Sequence, residues 1–415
     1  MKQQNIEVFT VAGGMKLAVE PIEGATTVTI VWTVPVGSAG DPIGDLGAGE
    51  SSVFSEMILR GAGDRSSREF SDALDRLGVQ RATSSSGYCI TISATCMAEQ
   101  AAETIQLLCD MVLRPRFEQD ALEASRELAL QSLGSLTDDP QHFANIQINE
   151  ISIPAPFNRH GYGTETGLKA LTTESLRASW HRRCRPGGSI MGIAGAIEPT
   201  KIRDLMEKLL EGWSGVSVEP VETAPAIRGT VHDKQATSQT HMCLALPGPR
   251  EIDESSLAHR LMVRVLGGGG MSNRLFSEVR EKRGLCYSVG MSYACGRDRG
   301  LTMIYAGSTP ERANETLACI RLELGRMVGG VTEGEFSRAV IGLKSGIVMG
   351  GESTMARASA LAGDLFRRGK VRTLAEVVAS VDRLTLAQVN EHAAQVLAPN
   401  EVCQASLAVV GPEPL

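Results

Sequence analysis

Leu266-Gly267-Gly268-Gly269-Gly270-Met271-Ser272-Asn273-Arg274-Leu275-Phe276 runs directly into Ser277-Glu278-Val279-Arg280-Glu281-Lys282-Arg283-Gly284-Leu285-Cys286-Tyr287-Ser288-Val289. Four consecutive glycines allow turns with positive φ and let another backbone approach closely. They are not a dinucleotide fingerprint, because the spacing to a third glycine fails. Arg280 carries a fixed fork of donors and Tyr287 carries one hydroxyl, and both can aim at a developing oxyanion. On spacing alone, the favoured reading is that Arg280 is one half of a surface ion pair and Tyr287 packs at a strand edge.

Outward from this stretch the chain repeats itself. Phe276-Ser277-Glu278 has a counterpart at Phe54-Ser55-Glu56, also after a glycine-rich turn and inside a helical pattern. Thr172 and Pro186 recur as Thr385 and Pro399, each 213 residues on. Each run is followed by a β-type stretch ending in glycine, Ile190 to Gly195 and Ala405 to Gly411. Between the copies, the polar, proline-bearing segment after Trp213 has no amphipathic period and reads as a linker. We therefore place an N-terminal domain over residues 1–217, a linker over 218–230 and a C-terminal domain over 231–415. Alternating strands are expected at Thr27–Val34, Gln239–Leu246, Gly87–Ala94 and Gly300–Ala306. Ala98–Leu113 sets Ala101, Ile105, Leu108, Met111 and Val112 on one helical face. Thr332 and Glu335 form a capping box that opens a helix through Val348. Strands interleaved with helices give an α+β layered fold.

The first-half counterpart is Gly49-Glu50-Ser51-Ser52-Val53-Phe54-Ser55-Glu56-Met57-Ile58-Leu59-Arg60-Gly61, an amphipathic helix with Val53, Phe54, Met57 and Ile58 on its apolar stripe. With the Gly267–Val289 run, it resembles the pitrilysin (insulinase, mitochondrial processing peptidase) family of zinc metallopeptidases, whose metal helix carries His-x-x-Glu-His. Aligned on Met57 and Gly61, the two histidine positions hold Ser52 and Glu56, and the catalytic glutamate position holds Ser55. The third ligand position, in a later helix, falls on Gln131 or Ser132. Zinc needs neutral imidazoles and a water held by a base. Serine hydroxyls supply neither, so no metal is expected on this chain. The seven histidines offer no local replacement, since no two lie within four residues of each other.

The resemblance covers nearly the whole chain. His160-Gly161-Tyr162-Gly163-Thr164, Arg185-Pro186 and Gly37-Ser38 with Asp41-Pro42 match other family segments. It implies two homologous α/β layered domains of the processing-peptidase type. Their sheets would be mainly antiparallel and flanked by helices, and the two domains would face each other as a clamshell. It also implies that Arg280 and Tyr287 bind substrate main chain and help stabilise the tetrahedral oxyanion of a zinc site. Gly267, Gly268, Gly269 and Gly270 would approach the peptide. In the family an edge strand pairs with substrate backbone. Here that strand holds Arg81-Ala82-Thr83, where Asn-Ala-x-Thr is usual.

Composition sets the outer bounds. The 415 residues carry a net charge of −7 and no Lys/Arg run longer than two, which argues against nucleic acid as a partner. No apolar run of about 18 residues exists for a membrane span. The first residues lack an apolar signal-peptide core, so a cytoplasmic location is expected. Nine cysteines, an odd number without a Cys-x-x-Cys pair, fit buried reduced thiols. A P-loop and a Gly-x-Ser-x-Gly elbow are both missing. Selective loss of the ligand positions, with Arg280 and Tyr287 kept, leads to a non-catalytic subunit of a heteromeric zinc metallopeptidase. Zinc would sit on a homologous partner subunit, and extended peptides would be the substrate. A structural or assembly protein of the same fold, and a peptide-binding module without proteolysis, are the alternatives.

Overall fold

The computed structural model describes residues 4–42 and 47–415. The chain divides into two units. The first takes the chain up to Ser135, then Ala155–Thr223 and Met349–Thr373. The second takes Leu136–Pro154, Ala224–Val348 and Leu374–Leu415.

The first unit is built on a six-stranded sheet of β1 (Glu7–Val11), β2 (Met15–Pro21), β3 (Thr27–Val34), β4 (Gln80–Ser85), β5 (Ile90–Met97) and β6 (Ile190–Gly195), in the order β1-β2-β6-β3-β5-β4. The second unit holds β7 (Thr230–Lys234), β8 (Thr240–Gly248), β9 (Ser288–Cys295), β10 (Gly300–Ser308) and β11 (Ser406–Gly411), in the order β7-β11-β8-β10-β9. Apart from β1 the two orders are the same. β6 pairs parallel with β2 and antiparallel with β3, and β11 does likewise with β7 and β8. The remaining pairings are antiparallel. The 213-residue repeat is thus a repeat of topology.

β6 and β11 are buried along their whole length, which explains their unbroken apolar sequences. One face of the first sheet packs on the helices Glu50–Met57, Ala101–Leu113 and Thr173–Arg183, in a core centred on Trp32, Phe54 and Trp180. Ala101, Ile105, Leu108, Met111 and Val112 are all buried there, as their spacing requires. In the second unit the helices Ser256–Leu266 and Pro310–Met327 carry the corresponding core of Leu261, Met262, Leu317 and Ile320.

The second face of each sheet is covered by a segment from the other half of the chain. Thr354–Arg368 lays Ala358, Leu361, Ala362 and Leu365 on Ala18, Val31 and Ala194 of the first sheet. Pro140–Ser152 lays Ala144 and Ile148 on Cys243, Ala245, Ala408 and Val410 of the second. The boundaries expected at 217 and 231 follow chain order and do not include this exchange. A sheet buried on both faces needs a helix over each. Here that helix comes from a distant part of the sequence. The repeat offset carries Pro140 onto Ser353, so the exchanged helices occupy equivalent positions of the two copies.

Candidate functional site

The helix Glu50–Met57 starts on a buried charged cluster. Asp41 Oδ2 accepts the backbone N–H groups of Gly49 and Ser51 at 3.2 and 3.3 Å, which satisfies donors that a helix start leaves open. Arg183 Nη1 donates to Asp41 Oδ1 at 2.9 Å and to Glu50 Oε2 at 3.2 Å, while Nη2 donates to the Gly37 carbonyl. Ser179 Oγ donates to Glu50 Oε2 at 2.5 Å. Asp41, Glu50 and Arg183 are all buried. Burial pushes the Glu50 carboxyl up, against the pull of Ser179 and Arg183. The cluster fixes where the helix begins, and so where Ser52 and Ser55 point.

Ser52 and Ser55 line a pocket of about 260 Å³ together with Ser38, Arg159, His160 and Tyr162. Ser55 Oγ donates to the Ser52 carbonyl at 2.7 Å. Arg159 Nη1 donates to the carbonyls of Ser38 and Asp41 at 3.3 and 2.7 Å. His160 Nδ1 accepts the Tyr162 backbone N–H at 3.1 Å, which leaves the ring proton on Nε2. Burial pushes His160 down, toward the neutral ring. Glu56 is partly buried one turn on from Ser52. Gln131 and Ser132 are exposed, and Ser132 Oγ donates back to Leu128 at 2.9 Å. These residues do not fit a zinc ion. A hydroxyl at Ser52 and a carboxylate at Glu56 stand in place of the two imidazoles, the Ser55 hydroxyl, tied to its own helix backbone, stands in place of the base, and the third position holds an exposed amide or hydroxyl. Among the described residues no three His, Cys, Asp or Glu side chains are grouped to hold a metal.

Arg280 and Tyr287 lie in the second unit and meet. The turn Phe276–Glu281 is π-helical, with the Lys282 N–H bonded to the Ser277 carbonyl at 3.0 Å. Such widened turns often re-aim a functional side chain. The Arg280 guanidinium sits 4.8 Å from the ring centroids of both Phe276 and Tyr287. No ion pair or hydrogen bond engages that guanidinium among the described residues, so the surface-pair reading of Arg280 does not hold. Tyr287 is 76% exposed and immediately precedes edge strand β9. The glycine loop lies against the same strand, with the Gly267 carbonyl accepting the Met291 N–H at 3.0 Å. A Cβ at Gly267 would meet Met291 at 2.6 Å, so this close approach needs glycine. Arg274 anchors the loop's far end by two bonds to Glu335, at 2.7 and 2.8 Å. That guanidinium holds the Glu335 carboxyl down to about 2. Glu335 also closes the capping box with Thr332.

β4, with Arg81, Ala82 and Thr83, is the edge of the first sheet, as the resemblance implies. Arg81 is turned onto the helix Ser67–Arg76, bonding Asp75 at 2.8 Å and Ser71 at 2.9 Å. Sequence reasoning did not single out Arg183, Glu50 or Arg159. Arg183 is separated from its partners by more than 130 residues, and no local spacing announces such a contact.

Two family models match the chain: the insulinase domain of peptidase family M16 over residues 16–161, and the peptidase M16 inactive domain over 170–343. The chain belongs to peptidase family M16. It is a member without the His-x-x-Glu-His motif. An uncharacterised zinc protease of Streptomyces coelicolor is 28% identical over 97% of this M16 chain and 89% of its own length. The uncharacterised zinc protease YmxG of Bacillus subtilis is 25% identical, with 98% of each chain covered. The crystal structure of a peptidase M16 inactive domain from Pseudomonas fluorescens matches with a TM-score of 0.88 at 20% identity, covering 99% of this chain and 98% of that one. A protease from Helicobacter pylori matches at the same TM-score and 16% identity, covering 99% and 100%. These structures share the two-unit α/β fold. No helix among the described residues is long and apolar enough to cross a membrane.

Proposed function

We propose that this M16 chain is the non-catalytic subunit of a heteromeric zinc metallopeptidase. A homologous partner carries the metal and its general base. This chain contributes Arg280, Tyr287 and part of the surface that holds an extended peptide. The observation that carries the reading is the state of Arg280. Its guanidinium sits between two aromatic rings and pairs with no carboxylate among the described residues, beside an exposed phenol. A guanidinium kept unpaired and pre-aimed costs little reorganisation when it meets a developing negative charge. The glycine loop and edge strand β9 provide backbone groups for a peptide in extended form. At the lost metal position, Ser52 and Ser55 leave this chain without an electrophile of its own.

The test is co-expression with a zinc-bearing M16 homologue from the same organism. The pair is expected to cleave peptides in a chelator-sensitive manner, with neither chain doing so alone. Zinc-dependent cleavage by this chain in isolation would refute the assignment.

A further inference from the structure

A second concave site lies beside the glycine loop. It measures about 170 Å³ and is lined by Arg264, Arg338, Ser272, Asn273 and the backbone of Gly268 and Gly269. Arg264 is partly buried at the end of the helix Ser256–Leu266, with its guanidinium against two glycines. A Cβ at Gly269 would stand 2.8 Å from Arg264 Cζ, and one at Gly342 would collide with Nη2. The absence of side chains at these two positions therefore makes the slot in which Arg264 lies. Neither Arg264 nor Arg338 forms an ion pair or hydrogen bond among the described residues. Glu335 is the one carboxylate in the lining, and it is committed to Arg274 and Thr332. The backbone N–H groups of Gly269 and Ser272, both in the lining, also have no partner among the described residues. Gly269 and Gly270 take φ of 83° and 104°, in the left-handed region that favours glycine. Asn273 braces the turn, donating to the Gly270 carbonyl at 2.5 Å and accepting the Phe276 N–H at 2.8 Å.

Two guanidiniums with no carboxylate partner among the described residues, in one lining with the Gly269 and Ser272 backbone, make a concavity suited to an anion. We infer that this pocket is an oxyanion site that takes the carboxylate of an acidic residue in a bound peptide. The size suits a carboxylate. The position suits a peptide, because the loop borders edge strand β9, where an extended chain can add. The peptide as source of the carboxylate rests on the proposed function. The anion site itself rests on Arg264, Arg338 and the loop.

The experiment measures binding of a labelled extended peptide with one Glu to the purified full chain, against the same peptide with Gln, and with inorganic phosphate as competitor. The Glu peptide is expected to bind about tenfold tighter, a difference of ~1.4 kcal/mol, and phosphate is expected to erode that advantage. Arg338→Gln, at an exposed position, should abolish the preference without touching the fold. Gly342→Ala should do the same by displacing Arg264 while adding a good helix former. Equal affinity of the two peptides would overturn the inference and leave peptide binding, and so the proposed function, intact. Phosphate binding that Arg338→Gln abolishes, with neither peptide bound, would overturn the peptide as ligand and count against the proposed function as well.

Discussion

Arg357 donates two hydrogen bonds to Glu20 Oε2, at 2.9 Å from Nε and 2.7 Å from Nη2, with both side chains only 4% exposed. The pair ties the helix Thr354–Arg368 to β2 of the first sheet, across 337 residues of sequence. Removing one partner of a buried pair leaves an uncompensated charge. Arg357→Met should cost about 3–5 kcal/mol in chemical denaturation. The double change with Glu20→Leu should recover much of it, since apolar replacement of a whole buried pair is often tolerated. A double variant no more stable than the single one would show that packing, not charge, dominates at this contact.

The same helix approaches the sheet closely over Gly192. A Cβ there would run into the Ala358 carbonyl and stand 2.8 Å from the Ala362 nitrogen, both backbone atoms that cannot swing aside. Gly192→Val should therefore destabilise the first unit by about 1–3 kcal/mol or more, the usual cost of overpacking. Thermal unfolding monitored by the fluorescence of Trp32, Trp180 and Trp213 would register it as a lower Tm.

In the second unit His259 is buried, with Nδ1 2.9 Å from His392 Nε2 and Nε2 2.5 Å from Thr302 Oγ1. Burial, with smaller contributions from His392 and Arg260, pushes His259 down to about 3. The unfolded chain binds this proton near pH 6.5, so between about 6.5 and 3 the unfolded state holds more protons. Stability is therefore full above the unfolded value and falls as pH falls. Acidification to pH 5 should cost up to about 2 kcal/mol through this residue. His259→Gln should flatten that slope in denaturation curves at pH 7, 6 and 5. An unchanged slope would assign the acid sensitivity elsewhere.

Arg280 and Tyr287 are expected to affect turnover and not stability, since Tyr287 is exposed and Arg280 has no ion pair to lose. With the partner present, Tyr287→Phe keeps the ring under Arg280 and removes only the hydroxyl. It should lower kcat more than it raises KM. Arg280→Ala should lower kcat by about 10²–10³, the usual range for loss of an oxyanion donor. Arg280→Lys should not restore it, because an ammonium lacks the planar fork that stacks between Phe276 and Tyr287. Unchanged kcat in both variants would remove these residues from the site.

Much of this protein was legible in its sequence. The glycine run, Arg280 and Tyr287 lie within 21 residues, and such local patterns survive folding. The apolar faces of Ala101–Leu113 and the alternation of Thr27–Val34 are set by helical and strand periods that any chain must obey. The repeat of Thr172 and Pro186 at Thr385 and Pro399 foretold two sheets of one topology. That Ser52, Ser55 and Glu56 stand where His-x-x-Glu-His would be is read from the residue types alone.

Tertiary structure alone decided which helix covers which sheet, and which cations are spent. Pro140–Ser152 and Thr354–Arg368 are both helices, and no periodicity says which of two similar sheets each will bury. Arg183 closes on Asp41 and Glu50, whereas Arg264 and Arg280 have no ion-pair partner among the described residues, although all three are arginines in helical runs. Side-chain chemistry is written residue by residue, but pairing depends on distances across the fold, and those exist only once the chain has packed.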